Sequence, residues 1–398
     1  MTLSVISPIL VIDAVLAAVT SHDSTSLTTM LTSIGLGMKP MNGVESGQID
    51  RALAAAFPDR PVERLTGVGP SWNGANETVG VVFADGTRAF LKVSLADESH
   101  RLARERTVLQ YLLTHDLFPV PEVLAADPGG DPAYLATAPA PGRGLLDRYA
   151  TAGDAERERL LRRVGAALAA LHADRFARHG EIVGPGTETG SAAEAAGGAA
   201  EASEAARGDD GDAPSGLSIE FASWTDVLLT TIERTREIGT SDRLSDHYDA
   251  VIDCVRENRE TLDDAPAALL HGDVTKPNLF VAGAGDDRDA SSPSVAAIDW
   301  ELSHVGDPVR DLVRAEDQLL NGFDSTGPER FAAALREGYR ERAGGLPAGF
   351  ERRRPVYEVV RMLGRSGFVD QWTTYLDEPL DALVERADAE LRARLDAV

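Results

Sequence analysis

The chain has 398 residues, of which 43% are hydrophobic, so it is long enough for one large domain or two smaller domains that each bury a core. Acidic residues number 64 against 39 basic residues, which gives a formal net charge of −25. This charge argues against nucleic acid as a partner, since the sequence has no basic stripe to neutralise phosphates. Lysine occurs only at positions 39, 92 and 276.

The acidic, lysine-poor composition is typical of proteins in a salt-rich cytoplasm, where screening relieves repulsion between like charges. It favours a halophilic source, with an acidic protein of an ordinary cytoplasm as the alternative. The single cysteine, Cys254, excludes an intrachain disulfide and a zinc cluster built on thiolates. We therefore expect a cytoplasmic location and no disulfide-linked partner.

An apolar run, "SVISPILVIDAVLAAV", lies near the amino terminus. It is interrupted by Asp13, has no basic residues before it and is too short to span a bilayer, so no membrane partner is expected. Residues 1–40 are also poor in charge compared with the rest of the chain. We interpret residues 1–44 as an extension that is disordered or that follows from a misassigned start, with Met38 or Met41 as the true beginning.

Residues 45–137 are predicted to form a small, β-rich region with one helix. The apolar runs "ETVGVVF" and "RAFLKVS" are joined by "ADGT", in which Asp85-Gly86 is a strong hairpin signal. The segment 97–113 has the apolar spacing of an amphipathic helix. Two further short strands flank the turn "DPGGDP".

Residues 138–398 are predicted to be mainly helical. Residues 184–216 are low in complexity and have no apolar period, which predicts a disordered insertion. Helices are expected to begin near Pro308, Pro328, Glu351 and Glu378. The predicted fold class is α+β, with a small β-rich N-terminal lobe, a larger mainly helical C-terminal lobe and a ligand cleft near their seam.

The segment "ALLHGDVTKPNLFVAG" places Asp273 and Asn278 in a short loop between two apolar runs. Phosphoryl transfer needs a carboxylate that accepts the proton of the attacking hydroxyl and ligands for a magnesium ion. Asp299 ends the apolar strand "VAAID" and offers a further hard oxygen ligand of the kind that Mg²⁺ prefers. The alternative is that Asp273 and Asn278 only stabilise a turn.

The motif "HGDVTKPN", followed by "IDWELSHVGDPVRDL", resembles the catalytic and metal-binding motifs of the aminoglycoside phosphotransferase and choline kinase-like family. These are small-molecule kinases with the protein-kinase-like, two-lobed fold. The likeness covers roughly residues 65–372 and is sharpest over 270–312. It implies ATP and Mg²⁺ as cofactors, Asp273 as the catalytic base, and Asn278 and Asp299 as magnesium ligands.

His271, Asp307 and Asp311 belong to the same motifs, but we expect them to support the loop and the following helix. The resemblance leaves the role of Lys276 open, because the family does not always have a lysine there. One possibility is that Lys276 approaches the transferred phosphate.

Lys92 lies in the apolar strand "FLKVS", and a buried lysine requires a partner. By the resemblance it contacts the α- and β-phosphates of ATP and pairs with a glutamate of the next helix. Glu105 matches that glutamate, with Glu98 as the second choice. The alternative is an exposed lysine that points outward.

Other nucleotide contacts are expected in two loops. The segment Gly74-Ala75-Asn76-Glu77-Thr78 resembles the phosphate-covering loop in being short and polar, which makes Asn76 and Thr78 candidates. The hinge between the lobes is expected at "YLATAPAPGRGL", where backbone groups near Thr137 would contact adenine.

The predicted function is transfer of the γ-phosphoryl group of ATP to a hydroxyl of a small molecule. A catalytically inactive, nucleotide-binding module is the alternative. A metal-dependent phosphohydrolase would need more clustered ligands, and a protein kinase would carry Asp-Phe-Gly and Ala-Pro-Glu segments that are absent here. The acceptor stays open, with Glu301, Arg361, Trp372 and Tyr375 as candidate contacts that could equally belong to the core.

Overall fold

The computed structural model describes residues 43–70, 76–95, 99–186, 216–282, 295–323 and 325–398. The extension predicted at 1–44 therefore lies outside the described residues, except for two residues of the first helix. Among the described residues, no helix combines the length and the apolar character needed to cross a membrane.

The N-terminal sheet has five antiparallel strands in the order β1-β2-β3-β5-β4. They are β1 (Val62–Pro70), β2 (Asn76–Phe83), β3 (Arg88–Ser94), β4 (Val123–Asp127) and β5 (Tyr134–Thr137). The predicted hairpin joins β2 and β3, and Gly86 in its turn has a φ of +80°, which glycine adopts without a steric penalty. Alternate residues such as Val79, Val81 and Leu91 are buried on one face of the sheet.

Helix α1 (Gly43–Ala56) covers that face. Ile49 and Ala52 are fully buried and pack in one apolar cluster with Val81 and Leu91. The sequence analysis does not predict α1, although Ile49, Ala52 and Leu53 recur at helical spacing.

Helix α2 (Ser99–Thr114) is the helix predicted between the third and fourth strands. Its residues Leu102, Val108 and Leu112 belong to the core of the C-terminal region. The helix therefore carries Glu105, which is also buried, to the seam between the N-terminal sheet and the helical region.

The C-terminal region is mainly helical, which confirms the predicted α+β fold class. Its helices are α3 (Leu145–Thr151), α4 (Asp154–Leu171), α5 (Trp224–Ile238), α6 (His247–Glu257), α7 (Arg259–Asp263), α8 (Pro308–Leu320), α9 (Glu329–Ala343), α10 (Phe350–Ser366) and α11 (Leu380–Leu395). The last four begin within a few residues of the predicted positions.

Two small sheets complete this region, in the orders β7-β10-β13-β8-β9 and β12-β11-β6. Their strands are β6 (Arg143–Gly144), β7 (Arg175–Phe176), β8 (Gly180–Gly186), β9 (Gly216–Phe221), β10 (Ala267–Leu270), β11 (Leu279–Val281), β12 (Val295–Ala297) and β13 (His304–Gly306). The ends of the insertion predicted at 184–216 are thus paired strands, and residues 187–215 lie outside the described part of the chain.

Strand pairing brings the two polar motifs together where β11 begins and β12 ends. Leu279 of β11 pairs with Ala297 of β12, and the Ile298 amide donates to the Asn278 carbonyl at 3.0 Å. The loop that follows β10 and the turn that follows β12 are therefore neighbours.

Candidate active site

A lysine of β3, Lys92, lies between three carboxylates. Its Nζ is 2.8 Å from Glu105 Oε2, 2.6 Å from Asp299 Oδ1 and 2.7 Å from Glu301 Oε2. The side chains of Lys92 and Glu105 are only 12% and 8% exposed. We call these four residues the lysine cluster. The structure thus brings together three of the residues predicted to bind the nucleotide and the metal, with Glu301 as the fourth, and Lys92 does not point outward.

The pKa shifts in the lysine cluster follow from its burial and its excess of carboxylates. Burial alone would lower the pKa of Lys92, but the neighbouring Asp299, Glu105 and Glu301 outweigh it and raise the pKa well above its ordinary value. Burial raises the pKa of Glu105 to about 7, with Lys92 opposing that shift and the charges of Asp299 and Glu301 reinforcing it.

Two residues of β2 adjoin the lysine cluster. Asn76 Nδ2 donates to Glu301 Oε2 at 3.1 Å, and Thr78 is directly opposite Lys92 in the β2–β3 ladder. Directly opposed residues of an antiparallel pair lie on the same face of the sheet. Gly74 and Ala75 of the predicted phosphate-covering loop and the alternative glutamate Glu98 lie outside the described residues.

Glu301 lies at a different place from the one expected. The sequence analysis names it as a possible acceptor contact, whereas its carboxylate is held by Lys92, Asn76 and Arg101, the last at 3.4 Å. The reason is the backbone at Asp299, which has φ +68° and ψ 56° just before the 3-10 turn Trp300–Leu302. This left-handed conformation is uncommon outside glycine, and it directs the turn so that Asp299 and Glu301 both reach Lys92.

Asp273 lies beyond β10, and its carboxylate accepts three hydrogen bonds from side chains. Oδ1 accepts from Arg314 at 3.0 Å and from Gln318 Nε2 at 2.8 Å, while Oδ2 accepts from Asn278 Nδ2 at 3.2 Å. A carboxylate has about four acceptor positions, so one position is left for the proton of a bound hydroxyl. Asp273 is 7% exposed, which keeps it at the bottom of the site.

A fully buried carboxylate, Asp311 of α8, holds the loop before Asp273. It accepts the backbone N–H groups of His271 and Gly272, both at 3.0 Å, and contacts His172 Nε2 at 3.3 Å. Burial would raise the pKa of Asp311, but these donors hold it well below its usual range. Asp311 is therefore the loop anchor that the sequence analysis predicts.

Gly272 and His271 fit this supporting arrangement. Gly272 has φ +80°, and a Cβ there would lie 2.3 Å from the Leu302 carbonyl oxygen, so only glycine fits. His271 is buried, with Nδ1 accepting the Asp273 amide at 3.1 Å and Nε2 3.1 Å from the Ile298 carbonyl. Its imidazole joins the two loops, as expected of a supporting residue.

Asp307 begins helix α8 as predicted. Its side chain accepts four hydrogen bonds: from the Val309 amide at 3.0 Å, from two N–H groups of Arg353 at 2.6 and 3.2 Å, and from the Tyr357 hydroxyl at 2.6 Å. All of its acceptor capacity is used inside the protein, which leaves it no role as a metal ligand.

The donor set near Asp299 fits a hard cation. Glu105, Asp299 and Glu301 each offer an oxygen, and these oxygens lie within 4.8 Å of one another. Asp299 is the most exposed of the three, at 36%, and only its Oδ1 is hydrogen-bonded within the described residues. The Asn278 amide nitrogen faces Asp273, so the amide oxygen is the atom that could bind a cation.

Two other predicted nucleotide contacts have neighbours outside the lysine cluster. Lys276 is 3% exposed, and its Nζ lies over the Tyr149 ring at 5.0 Å from the centroid. Thr137 ends β5 opposite Phe90, and the next amide, of Ala138, donates to the Glu122 carbonyl at 2.9 Å.

The remaining acceptor candidates lie on or after α10. Trp372 is 1% exposed and packs against Phe323, so it belongs to the core. Tyr375 stacks on the same ring, and burial raises its pKa to about 12. Arg361 is 20% exposed and binds Asp317 at 2.6 Å, so it is the candidate with an accessible charged group.

Arg314 and Gln318 are site residues that the sequence analysis missed. They are four positions apart on α8, and an Arg314 Nε–Gln318 Oε1 hydrogen bond of 3.2 Å links them. Helical spacing shows that they share a face. No sequence pattern shows that this face meets Asp273, because that contact depends on how α8 packs against the loop.

Comparisons with known proteins show the family and the fold of the chain. Residues 69–356 match the phosphotransferase enzyme family, APH. A search of curated proteins finds no significant match. Among solved structures, ADP-bound aminoglycoside phosphotransferase APH(2'')-Ib has a TM-score of 0.50 at 14% identity, covering 87% of this chain and 98% of that chain.

Two further structures give similar values. The GDP and kanamycin complex of APH(2'')-IIia has a TM-score of 0.54 at 13% identity, covering 86% of this chain and 98% of that chain. An aminoglycoside-3'-phosphotransferase of type VIII has a TM-score of 0.51 at 18% identity, covering 79% and 99%. At such identities the likeness is one of fold, and it confirms the two-lobed, protein-kinase-like arrangement. Because the family match spans more than half of the sequence and includes both the lysine cluster and the Asp273 loop, the chain belongs to the phosphotransferase enzyme family.

Proposed function

We propose that this protein transfers the γ-phosphoryl group of ATP to a hydroxyl group of a small molecule, with Mg²⁺ as cofactor. The observation that carries the proposal is that the loop after β10 and the turn after β12 lie side by side, each with a carboxylate. Asp273 is a carboxylate held by three donors with an acceptor position left, and the adjacent turn supplies Asp299 to the lysine cluster.

Asp273 acts as the general base. It orients the acceptor hydroxyl and takes its proton as the oxygen attacks the γ-phosphorus. The new bond joins the acceptor oxygen to phosphorus, the bond from phosphorus to the β–γ bridging oxygen breaks, and ADP leaves with that electron pair. Arg314, Gln318 and Asn278 fix the carboxylate during this step, so no reorientation is required.

Lys92 binds the α- and β-phosphates, with Glu105 holding its ammonium group in place. Asn278 and Asp299 would hold Mg²⁺, which when bound neutralises phosphate charge. Asn76 and Thr78 lie close enough to Lys92 to contact phosphate oxygens. Lys276, whose ammonium group lies over the Tyr149 ring, is also assigned to the nucleotide.

The base of the nucleotide is proposed to bind at the hinge after Thr137. The Ala138 amide is already bonded to Glu122, and proline at 139 and 141 has no N–H. Ala140 therefore supplies the backbone donor of this segment. We propose ATP as the donor nucleotide; ADP is bound in one structure of similar fold and GDP in another.

The setting of the enzyme follows from composition. The acidic, lysine-poor chain supports a halophilic source, and the single cysteine, Cys254, supports a cytoplasmic location without disulfide-linked partners. Neither nucleic acid nor membrane is proposed as a partner.

Replacing Asp273 by asparagine tests the assignment. Turnover, measured as ADP release from Mg·ATP with a panel of hydroxylated compounds, should fall by about 10²- to 10⁴-fold because the general base is lost. ADP affinity, measured by calorimetry, should stay within about threefold, because Asp273 has no proposed contact with the nucleotide. Asp253→Asn, on the exposed face of α6, is the matched control.

Two outcomes would contradict the proposal. Near-normal turnover by Asp273→Asn would exclude Asp273 as the base. Nucleotide binding by the wild type without any ADP release, even by slow transfer to water, would support the inactive, nucleotide-binding module instead.

A further inference from the structure

The wall beside Asp273 is lined by guanidinium groups. Helices α8 and α10 pack together here, and each contributes two arginines spaced by one helical turn. We call this set the arginine face; it consists of Arg310, Arg314, Arg361 and Arg365. Arg314 reaches Asp273 itself, which places the arginine face next to the proposed base.

The arginine face has fewer carboxylates than cations. Arg361 and Arg365 share a single partner, Asp317, at 2.6 and 3.0 Å, and Arg314 is paired with Asp273 at 3.0 Å. The four guanidinium groups thus have two carboxylates within ion-pair distance, one of which is the proposed base, while the more distant carboxylate of Asp311 acts on Arg310.

Arg310 has no carboxylate partner within ion-pair distance in the part of the chain that the structure describes. Its guanidinium donates to His304 Nε2 at 2.8 Å, and burial lowers the pKa of His304 to about 3, so this imidazole is neutral. The charge of Arg310 is therefore not balanced by its nearest neighbour.

The four cations also affect one another. Burial and then the charge of Arg314 lower the pKa of Arg310 to about 10, although the charge of Asp311 opposes this shift. Burial likewise lowers the pKa of Arg361, with Arg314 and Arg365 contributing. Grouping partly buried like charges is unfavourable unless a ligand compensates them. This grouping is found in a chain with 64 acidic and 39 basic residues, where carboxylates for neutralisation are abundant.

We propose that the phosphoryl acceptor is an anionic hydroxyl compound, a hydroxy or sugar acid or a sugar phosphate, whose carboxylate or phosphate is bound by the arginine face. Arg361 and Arg314 are 20% and 21% exposed, so both can reach a bound anion. Guanidinium groups bind carboxylate and phosphate oxygens in pairs, which fixes orientation as well as charge. The acceptor hydroxyl then lies at Asp273, and a polycationic acceptor is repelled.

This inference rests on the proposed function, and a series of acceptors graded in charge tests it. Glucosamine, glucose, gluconate and glucose 6-phosphate are six-carbon polyols that carry, in this order, a positive charge, no charge, a carboxylate and a phosphate, and ADP release gives kcat/KM for each. We expect the anionic compounds to exceed glucose by about 100-fold and glucosamine to be poorest, because two charge-assisted hydrogen bonds are gained. The ratio between gluconate and glucose 6-phosphate distinguishes a carboxylate site from a phosphate site.

Variants separate binding of an anion from a purely structural role. Arg361→Gln should lower the anion-to-glucose ratio of kcat/KM by about tenfold, because one charge-assisted contact is lost while Arg365 still holds Asp317. Arg354→Gln is the matched control, since Arg354 lies on the same helix but pairs with Glu358 and Glu316. Its ratio should stay at the wild-type value.

Calorimetry with ADP and Mg²⁺ present covers the case in which none of the four compounds is phosphorylated. Gluconate or glucose 6-phosphate should still bind the wild type at least about tenfold more tightly than Arg361→Gln. A preference for glucosamine, an unchanged ratio in Arg361→Gln, or no preferential binding of an anion would overturn the inference. Loss of ADP binding or of all ADP release would instead count against the proposed function.

Discussion

The two ends of the candidate site carry opposite imbalances of charge. In the lysine cluster one ammonium group is shared by three carboxylates, whereas the four guanidinium groups of the arginine face have two carboxylates within ion-pair distance. An excess of carboxylates suits a cation, and an excess of guanidinium groups suits an anion. The difference indicates that each end is complementary to a different ligand, a metal-bound nucleotide at one and the acceptor at the other.

Carboxylates at the two ends also have opposite pKa shifts. Burial raises the pKa of Glu105 to about 7, and one lysine shared with two other carboxylates does not reverse this. Burial would also raise the pKa of Asp317, but Arg365 and Arg361 outweigh it and hold the pKa well below its usual range. The number of cations around each carboxylate, more than burial itself, decides whether its pKa is raised or lowered.

Among the variants that test this contrast between the two ends, the largest expected effect comes from removing the lysine cluster's only cation. Lys92→Met should lower kcat/KM for ATP by about 10²- to 10³-fold, because a phosphate contact is lost. It should also lower the melting temperature in Mg²⁺-free buffer, since three carboxylates then repel one another, and Mg²⁺ should restore part of that loss. Steady-state kinetics and thermal unfolding measure the two effects.

Arg88→Met is the matched control for this variant. Arg88 lies on the same strand, β3, but its side chain is exposed, so the same change of charge should have little effect. Wild-type kcat/KM for ATP in Lys92→Met would break the assignment of the lysine cluster to the nucleotide.

A smaller effect is expected at Gln318, which holds Asp273 without charge. Gln318→Met keeps the shape of the side chain but removes the 2.8 Å hydrogen bond, so kcat should fall about tenfold with KM for ATP unchanged. Gln318→Glu should lower kcat further, because a second carboxylate would face Asp273.

Gln110→Met, on the exposed side of α2, controls for the substitution itself. If KM for ATP changed in Gln318→Met while kcat did not, the separation between the two ends would be wrong.

The lysine cluster could be predicted in large part from the sequence. Lys92 is a lysine inside an apolar strand, and Glu105 lies on the next helix at a position that the family motif indicates. Asn278 directly precedes β11 and Asp299 follows β12. Because these two strands are short and consecutive, their pairing also suggests that Asn278 and Asp299 are neighbours. Local patterns suffice where a contact is set by strand register or by a motif.

The surroundings of Asp273 are less predictable from the sequence. Arg314 and Gln318 reach Asp273 only because α8 packs against a loop 41 and 45 positions earlier in the chain, and no local pattern encodes that packing. From the sequence Glu301 is only a candidate acceptor contact, because the positive φ of Asp299, which brings Glu301 to Lys92, cannot be recognised from an aspartate in the sequence. The charge imbalance of the arginine face likewise depends on which carboxylates lie nearby in space.

The smallest expected effect tests the pKa contrast through stability. The folded-state pKa of Glu105, about 7, lies above its ordinary value of 4.5, so the folded protein retains a proton that the unfolded chain loses between these values. The contribution of Glu105 to stability therefore falls as the pH rises from 4.5 to 7, by at most about 3 kcal/mol. In Glu105→Gln this dependence is absent, and the melting temperature relative to wild type should rise between about pH 5 and pH 8.

Asp317→Asn should respond in the opposite direction. Because the folded-state pKa of Asp317 is lowered, its contribution to stability is present above the unfolded pKa and is lost as the pH falls through the folded pKa. The variant should thus be less stable than wild type near pH 7, and this deficit should shrink below about pH 4. Thermal unfolding of both variants and the wild type, over the pH ranges given for each variant, measures these opposite pH dependences. Parallel pH responses would mean that the two carboxylates share one electrostatic environment, and the opposite polarity of the two ends would not hold.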